Sequence, residues 1–125
     1  MTDARRRTGE IAEELIAQRL ATDGWEIVER NARTRYGELD IVARDGNVLV
    51  FVEVKGARAG TEFGPEKPIL SIDFRKQRRV RRLAAAWMAE RRDQPHYDEI
   101  RCDAAGVVLD GDGRAVEVDY VLGAF

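Results

Sequence analysis

One cysteine, Cys102, and one histidine, His96, stand in 125 residues. A single thiol cannot close an internal disulfide or build a cysteine-based zinc cluster. A single imidazole excludes a multi-histidine metal centre and gives no support to a Ser-His-Asp triad. No apolar run approaches the ~20 residues that cross a bilayer. Met1 to Arg7 is charged with no apolar stretch behind it, so it does not read as a secretory signal. The expectation is a cytoplasmic protein with no membrane partner, whose chemistry rests on carboxylates, lysines and arginines. Nor is there a surplus of positive charge: the net charge is −2 and the pI about 5.5. What is present suffices for a core, with 44% hydrophobic and 35% charged residues. Length and composition together predict one folded domain, 1–125, rather than disorder.

The charge is unevenly placed. From Asp93 to Phe125 there are eight acids and two bases, which leaves 19 bases and 15 acids in Met1 to Arg92. Within the latter, Arg75-Lys76-Gln77-Arg78-Arg79-Val80-Arg81-Arg82 holds six bases in eight positions. Such a field draws phosphates locally even on a slightly acidic chain. The plainer reading is a solvated helix face balanced by the acidic C-terminal third.

Hydrophobic spacing predicts a helix from Gly9 to Asp23, with Thr8 as N-cap and Gly24 in the left-handed position past its end. Residues 25–33 read as a strand, Tyr36-Gly37 as a turn, and Leu39 to Ala43 as a strand closed by the hairpin signal Asp45-Gly46-Asn47. Val48 to Val54 is nearly all apolar and β-branched, as in a central strand buried on both faces. Lys55 to Pro68, rich in Gly, Pro and charge, reads as a loop. A second helix is expected from Ile72 to about Arg92, capped by Ser71. Two strands follow, Tyr97 to Val108 and Ala115 to Val121, around the turn at Asp110-Gly111-Asp112-Gly113. The order α-β-β-β-α-β-β predicts an α/β fold with a mixed central sheet flanked by helices.

The most informative residues are Glu53-Val54-Lys55, charges at the end of a buried strand. Burying charge is costly unless it is paired or bound to a metal. Alternation puts Glu53 and Lys55 on one face, and Leu39 and Ile41 on one face opposite Glu38, Asp40 and Val42. The antiparallel hairpin brings Asp40 near Glu53 and Lys55. Carboxylate oxygens and an ammonium in one place suit phosphodiester hydrolysis with Mg2+ or Mn2+ held by Asp40 and Glu53. Lys55 would orient or deprotonate the attacking water, or stabilise charge on phosphorus. Glu13, at the edge of the first helix's apolar stripe, is a third candidate ligand. Lys76 and Gln77 are placed toward the cleft, and Arg75, Arg78, Arg79 and Arg82 toward solvent or a phosphate backbone. Each has a plainer alternative: an arginine-paired Asp40, a flank Glu13, a cross-strand ion pair for Glu53 and Lys55.

Gly37-Glu38-Leu39-Asp40-Ile41-Val42-Ala43, Phe51-Val52-Glu53-Val54-Lys55, Phe63-Gly64-Pro65, Lys76-Gln77 and Ala124-Phe125 together resemble the YraN family of bacterial proteins. Ala12-Glu13, Leu20, Gly24 and Asn31-Ala32-Arg33 extend the likeness over nearly the whole chain. That family is similar to restriction-endonuclease-like nucleases of the PD-(D/E)xK superfamily, in particular archaeal-type Holliday-junction resolvases. The resemblance implies a restriction-endonuclease-like core and metal-dependent cleavage of nucleic acid, DNA before RNA. By it, Glu13, Asp40, Glu53 and Lys55 match the helix glutamate, the metal aspartate and the E-x-K pair. An arginine often found two residues after the lysine stands one place later, as Arg58, and is taken as a substrate contact with Lys76, Gln77, Arg78, Arg79 and Arg82. A homodimer would supply two centres for paired cuts. The alternatives are a non-catalytic nucleic-acid-binding module on the same fold, and an interaction protein whose carboxylates are structural.

Overall fold

The computed structural model describes residues 3–60 and 67–125. The Phe63-Gly64-Pro65 segment lies outside them. The chain runs α1 (Asp3–Thr22), β1 (Glu26–Thr34), β2 (Gly37–Asp45), β3 (Val48–Arg58), a 3-10 turn (Pro68–Ser71), α2 (Phe74–Glu90), β4 (Glu99–Leu109) and β5 (Ala115–Val121). The five strands form one sheet in chain order. Neighbours are antiparallel except β3 and β4, which run parallel over eleven residue pairs from Val48↔Glu99 to Arg58↔Leu109. That parallel pair requires the crossover that carries α2. The expected element order and mixed sheet are therefore observed. Among the described residues, no helix is long and apolar enough to cross a membrane.

Each face of the sheet is covered by one helix. Ala12, Ile16, Ala17 and Leu20 of α1 pack on Ile41, Ala43, Val50, Val52, Ala105, Val107 and Leu109. Val80, Leu83, Ala84 and Trp87 of α2 pack on the other face against Ala32, Leu39, Val42, Leu49, Phe51 and Cys102. Val50, Phe51 and Val52 are fully buried, so both faces of β3 are covered, as its apolar run requires. The buried Trp87 donates its indole N–H to Glu29 at 3.0 Å, and Arg91 grips the same carboxylate with two bonds of 2.9 Å. The Arg91 guanidinium, more than any other neighbour, holds the Glu29 carboxyl below its usual range.

Several expectations need correction. α1 begins at Asp3 rather than Gly9, because Arg5-Arg6-Arg7 is compatible with a helix but carries no apolar period. Thr8 therefore lies inside the helix, buried, with its hydroxyl donating to the Ala4 carbonyl at 2.8 Å, and caps nothing. The cap of α2 is Asp73, whose carboxylate accepts from the Lys76 N–H at 3.0 Å; Ser71 closes the 3-10 turn by donating to the Pro68 carbonyl. Lys55 to Arg58 is strand, not loop, because the parallel ladder to β4 continues through Arg58. Gly56 serves there as a close-approach residue: a Cβ at 56 would lie 2.8 Å from the Ala12 Cβ and 3.1 Å from the Thr8 carbonyl oxygen. The expected alternation also breaks in β2. Leu39 packs on the α2 side and Ile41 on the α1 side, so they do not share a face. Across from the break, between the pairs Arg30↔Ile41 and Ala32↔Leu39, Asn31 takes a left-handed φ of 51°, while the β1–β2 register itself shifts earlier, between Ile27 and Glu29. Asn tolerates that conformation better than other non-glycine residues do.

Candidate active site

The β2–β3 ladder runs from Asp45↔Val48 to Ile41↔Val52 and goes no further. Past that point the two strands separate, and Asp40 fills the fork. Its Oδ2 accepts the Val54 main-chain N–H at 2.8 Å, taking the place of a peptide carbonyl. This bond ties Asp40 to the segment between Glu53 and Lys55.

Two further carboxyl groups interact with Asp40 at the fork. Glu13 reaches it from α1 and is hydrogen-bonded to Asp40, and Glu53 feels the Asp40 charge from β3. Burial, and after it the negative Asp40, lift the Glu13 carboxyl to about 8. Burial and Asp40 likewise lift Glu53 to about 7, against the pull of Arg79, Lys76 and Lys55. Asp40 is also raised, chiefly by burial, although the Val54 N–H and the Glu13 hydrogen bond oppose the rise. The directions assign one proton to the pair, held by Glu13 and shared toward Asp40. Lys76, expected to point inward, is felt at Glu53, and Gln77 is half-buried beside it.

Arg79, expected to face solvent or a phosphate backbone, is exposed, and its charge also acts on both Asp40 and Glu53. Its guanidinium passes close to Gly37, where an added Cβ would meet Arg79 Nη2 at 3.3 Å and φ is +140°. Helical spacing from Lys76, one turn minus a residue earlier, was the available signal. Arg58 lies apart from the arginines of α2. It is fixed on the α1 side by the Thr8 hydroxyl at 3.1 Å and the Asp110 carbonyl at 3.3 Å. There it borders a cleft of about 560 Å³ shared with Arg5, Glu13, Asn31, Glu38 and Lys55.

The donor set determines what cation the fork could take. Among the described residues, no three carboxylate, histidine or cysteine groups converge into a ready-made metal cage. Two hard carboxylates with raised proton affinity, Asp40 and Glu53, nevertheless suit Mg2+ or Mn2+, since Mg2+ binds through one or two carboxylates and keeps several waters. Glu13 adds a third oxygen group behind Asp40. The same groups give stability a definite pH dependence. Glu13 and Glu53 bind protons more tightly when folded, so their stabilisation is complete below pH 4.5 and is lost as pH rises through 7 and 8. Because Glu13 is only half-buried and partly screened, the expected loss is about 1 kcal/mol per pH unit in that window. Denaturant titrations across the window should show it, with a flatter profile for Glu13→Gln. Millimolar Mg2+ should restore more stability in mild alkali than in mild acid.

Comparison with known proteins supports the family read from the sequence. The model of the uncharacterised protein family UPF0102 matches residues 12–107. A UPF0102 protein of Rhodococcus opacus is 40% identical over 117 residues, 94% of each chain. One from Moorella thermoacetica is 42% identical over 125 residues, the full length of both. One from Acidothermus cellulolyticus is 44% identical over 131 aligned positions, covering 98% of this chain and 96% of the relative.

Proposed function

The chain belongs to the uncharacterised protein family UPF0102, and we propose that it is a metal-dependent endonuclease of the PD-(D/E)xK kind, hydrolysing phosphodiester bonds of DNA, branched and repair intermediates included. The observation that carries this reading is the Asp40–Val54 bond across the fork, which gathers an aspartate, a glutamate and a lysine where the sheet opens. Asp40 and Glu53 would hold Mg2+ or Mn2+, with Glu13 tuning Asp40 through their shared proton. The bound cation would supply positive charge against the scissile phosphate and acidify water. Glu53 and Lys55 lie close enough to interact, and on this reading the ammonium would orient the attacking water. Lys76 and Arg79 add positive potential that draws the phosphate in. A dimer, with two centres on one junction, and a cytoplasmic location belong to the same reading.

A non-catalytic nucleic-acid-binding module is the second reading. It is favoured by the lack of three convergent metal donors among the described residues. Labelled single-strand, duplex, flap and four-way-junction DNA, each with and without Mg2+ or Mn2+, separate the two. The nuclease reading expects cleavage of at least one substrate that needs the cation and stops with chelator. Binding without cleavage under every condition would leave the second reading.

A further inference from the structure

The bases of α2 divide by direction. Lys76 is felt at the Glu53 carboxylate, and Arg81 borders an apolar cavity with Met88, Cys102 and Phe125. Arg75, Arg78, Arg79 and Arg82 follow the i, i+3, i+4, i+7 spacing of one helix face. These four, with Tyr36 from the β1–β2 turn and Leu83, line a separate cavity of about 370 Å³ that no carboxylate borders. Like charges four residues apart on a helix destabilise it, and Arg75/Arg79 and Arg78/Arg82 are two such pairs. The acids of the C-terminal third do not relieve them. Asp103 is bonded to Arg101, Glu117 and Asp119 to Lys67, and Asp98 to His96. Among the described residues, no carboxylate comes within ion-pair distance of these four arginines.

Two of the guanidiniums are held by aromatic rings. Arg82 stacks over the Tyr36 ring with its Cζ 4.4 Å from the centroid, and Arg78 over Phe74 at 4.8 Å. Tyr36 is 48% exposed and Phe74 66% exposed, so neither ring is placed there by the core. Stacking an arginine on an aromatic face limits its rotamers and leaves its N–H edge to bind an anion. Arg79 joins this cavity to the fork, since it borders the one and acts on Asp40 and Glu53 in the other.

We infer that the cavity formed by Arg75, Arg78, Arg79, Arg82 and Tyr36 is an anchoring site for successive phosphates of one DNA strand, beside the cutting centre and distinct from it. The choice of DNA as ligand rests on the nuclease reading. The cavity exceeds the size of a single phosphate, and its charge is uniformly positive. Tyr36 acts as a positioning residue that holds Arg82 toward the backbone. Arg58, on the other side of the sheet, plays no part in it.

Fluorescence anisotropy of a labelled DNA duplex, in chelator and over a range of salt, tests this without any cleavage. The Arg75→Ala/Arg82→Ala double variant should bind at least about tenfold more weakly at low salt, with a log–log salt slope shallower by about 2. Arg81→Ala should bind like the wild type. Tyr36→Ala should weaken binding several-fold, and Tyr36→Phe should not. Wild-type affinity and slope in the double variant, or an equal loss in Arg81→Ala, would overturn the inference. These positions are exposed or face the cavity, so unchanged melting curves verify that the variants fold. A protein that binds through the cavity but cuts nothing keeps this inference and removes the nuclease reading. One that cuts with the double variant binding at full affinity does the reverse.

Discussion

Lys55→Ala is expected to lose metal-dependent DNA cleavage by about 10²–10⁴-fold, while its affinity for DNA in chelator stays close to that of the wild type. The expectation follows from where the ammonium sits. β3 is held by β2 on one side and β4 on the other as far as Val52, and by β4 alone beyond it. Lys55 therefore emerges where the sheet opens, within range of Glu53, while the proposed phosphate anchor lies on α2. On the nuclease reading, removing it would subtract the group that acts on water or on the developing phosphorane charge and would leave the proposed phosphate anchor intact. Lys55→Arg should bind DNA as the wild type does and recover little of the rate, because a guanidinium does not give up its proton. Asp40→Asn gives the matching control: the amide oxygen can still accept the Val54 N–H, so the fork keeps its shape while its charge falls. Calorimetry with Mg2+ or Mn2+ should lose its binding signal in that variant. Cleavage by Lys55→Ala at the wild-type rate would remove Lys55 from the centre.

The largest loss of stability is expected at a residue outside the centre. Asp103 is fully buried in β4, and each of its oxygens has two donors. Arg101 Nε reaches Oδ1 at 2.8 Å and Arg101 Nη2 reaches Oδ2 at 3.1 Å. The Tyr120 hydroxyl donates to Oδ2 at 2.6 Å and the Gly123 N–H to Oδ1 at 2.8 Å. Arg101 also lies over the Trp25 ring at 5.4 Å, and Trp25 meets Tyr120 edge to face at 6.2 Å. One carboxylate thus ties β4 to β5, to the C-terminal turn and to the strand entry after α1. Asp103→Ala leaves a guanidinium, a phenol and an amide without their acceptor, at a cost of about 3–5 kcal/mol. A thermal midpoint lower by roughly 10–20 °C is the expected reading. Tyr120→Phe removes one hydrogen bond and should cost about 1–2 kcal/mol. A midpoint unchanged in Asp103→Ala would mean that the network contributes nothing net.

The contrast between these two sites shows what a single sequence makes legible. The centre is signalled by residues whose placement looks costly: Glu53 and Lys55 after an unbroken β-branched run, and Asp40 in the strand before a hairpin turn. The register that joins them follows from Asp45-Gly46-Asn47, with Gly46 at φ +59°. Asp103 gives no such signal. In the sequence it is one more acid in an acidic third, and its partners lie 2, 17 and 20 residues away. The Arg101/Asp103 spacing on one strand face was the available hint. The break at Asn31 and Asp40 was hidden for another reason: strict alternation is the default rule for a strand, and a left-handed asparagine is invisible to it. Charge likewise exposed the basic run of α2, whereas its division among three destinations had to wait for the helix to be placed on the sheet.

The missing side chain at Gly56 has a consequence for the chemistry. Ala12 presses into the space a Cβ would fill. Glu13 follows Ala12 in sequence and Lys55 precedes Gly56. Helix and strand are thereby keyed like tenon and mortise, so that the carboxyl of one and the ammonium of the other cannot slip past each other by a residue. The spacing between that carboxyl group and that amine is set by the backbone, leaving side-chain rotation to adjust it.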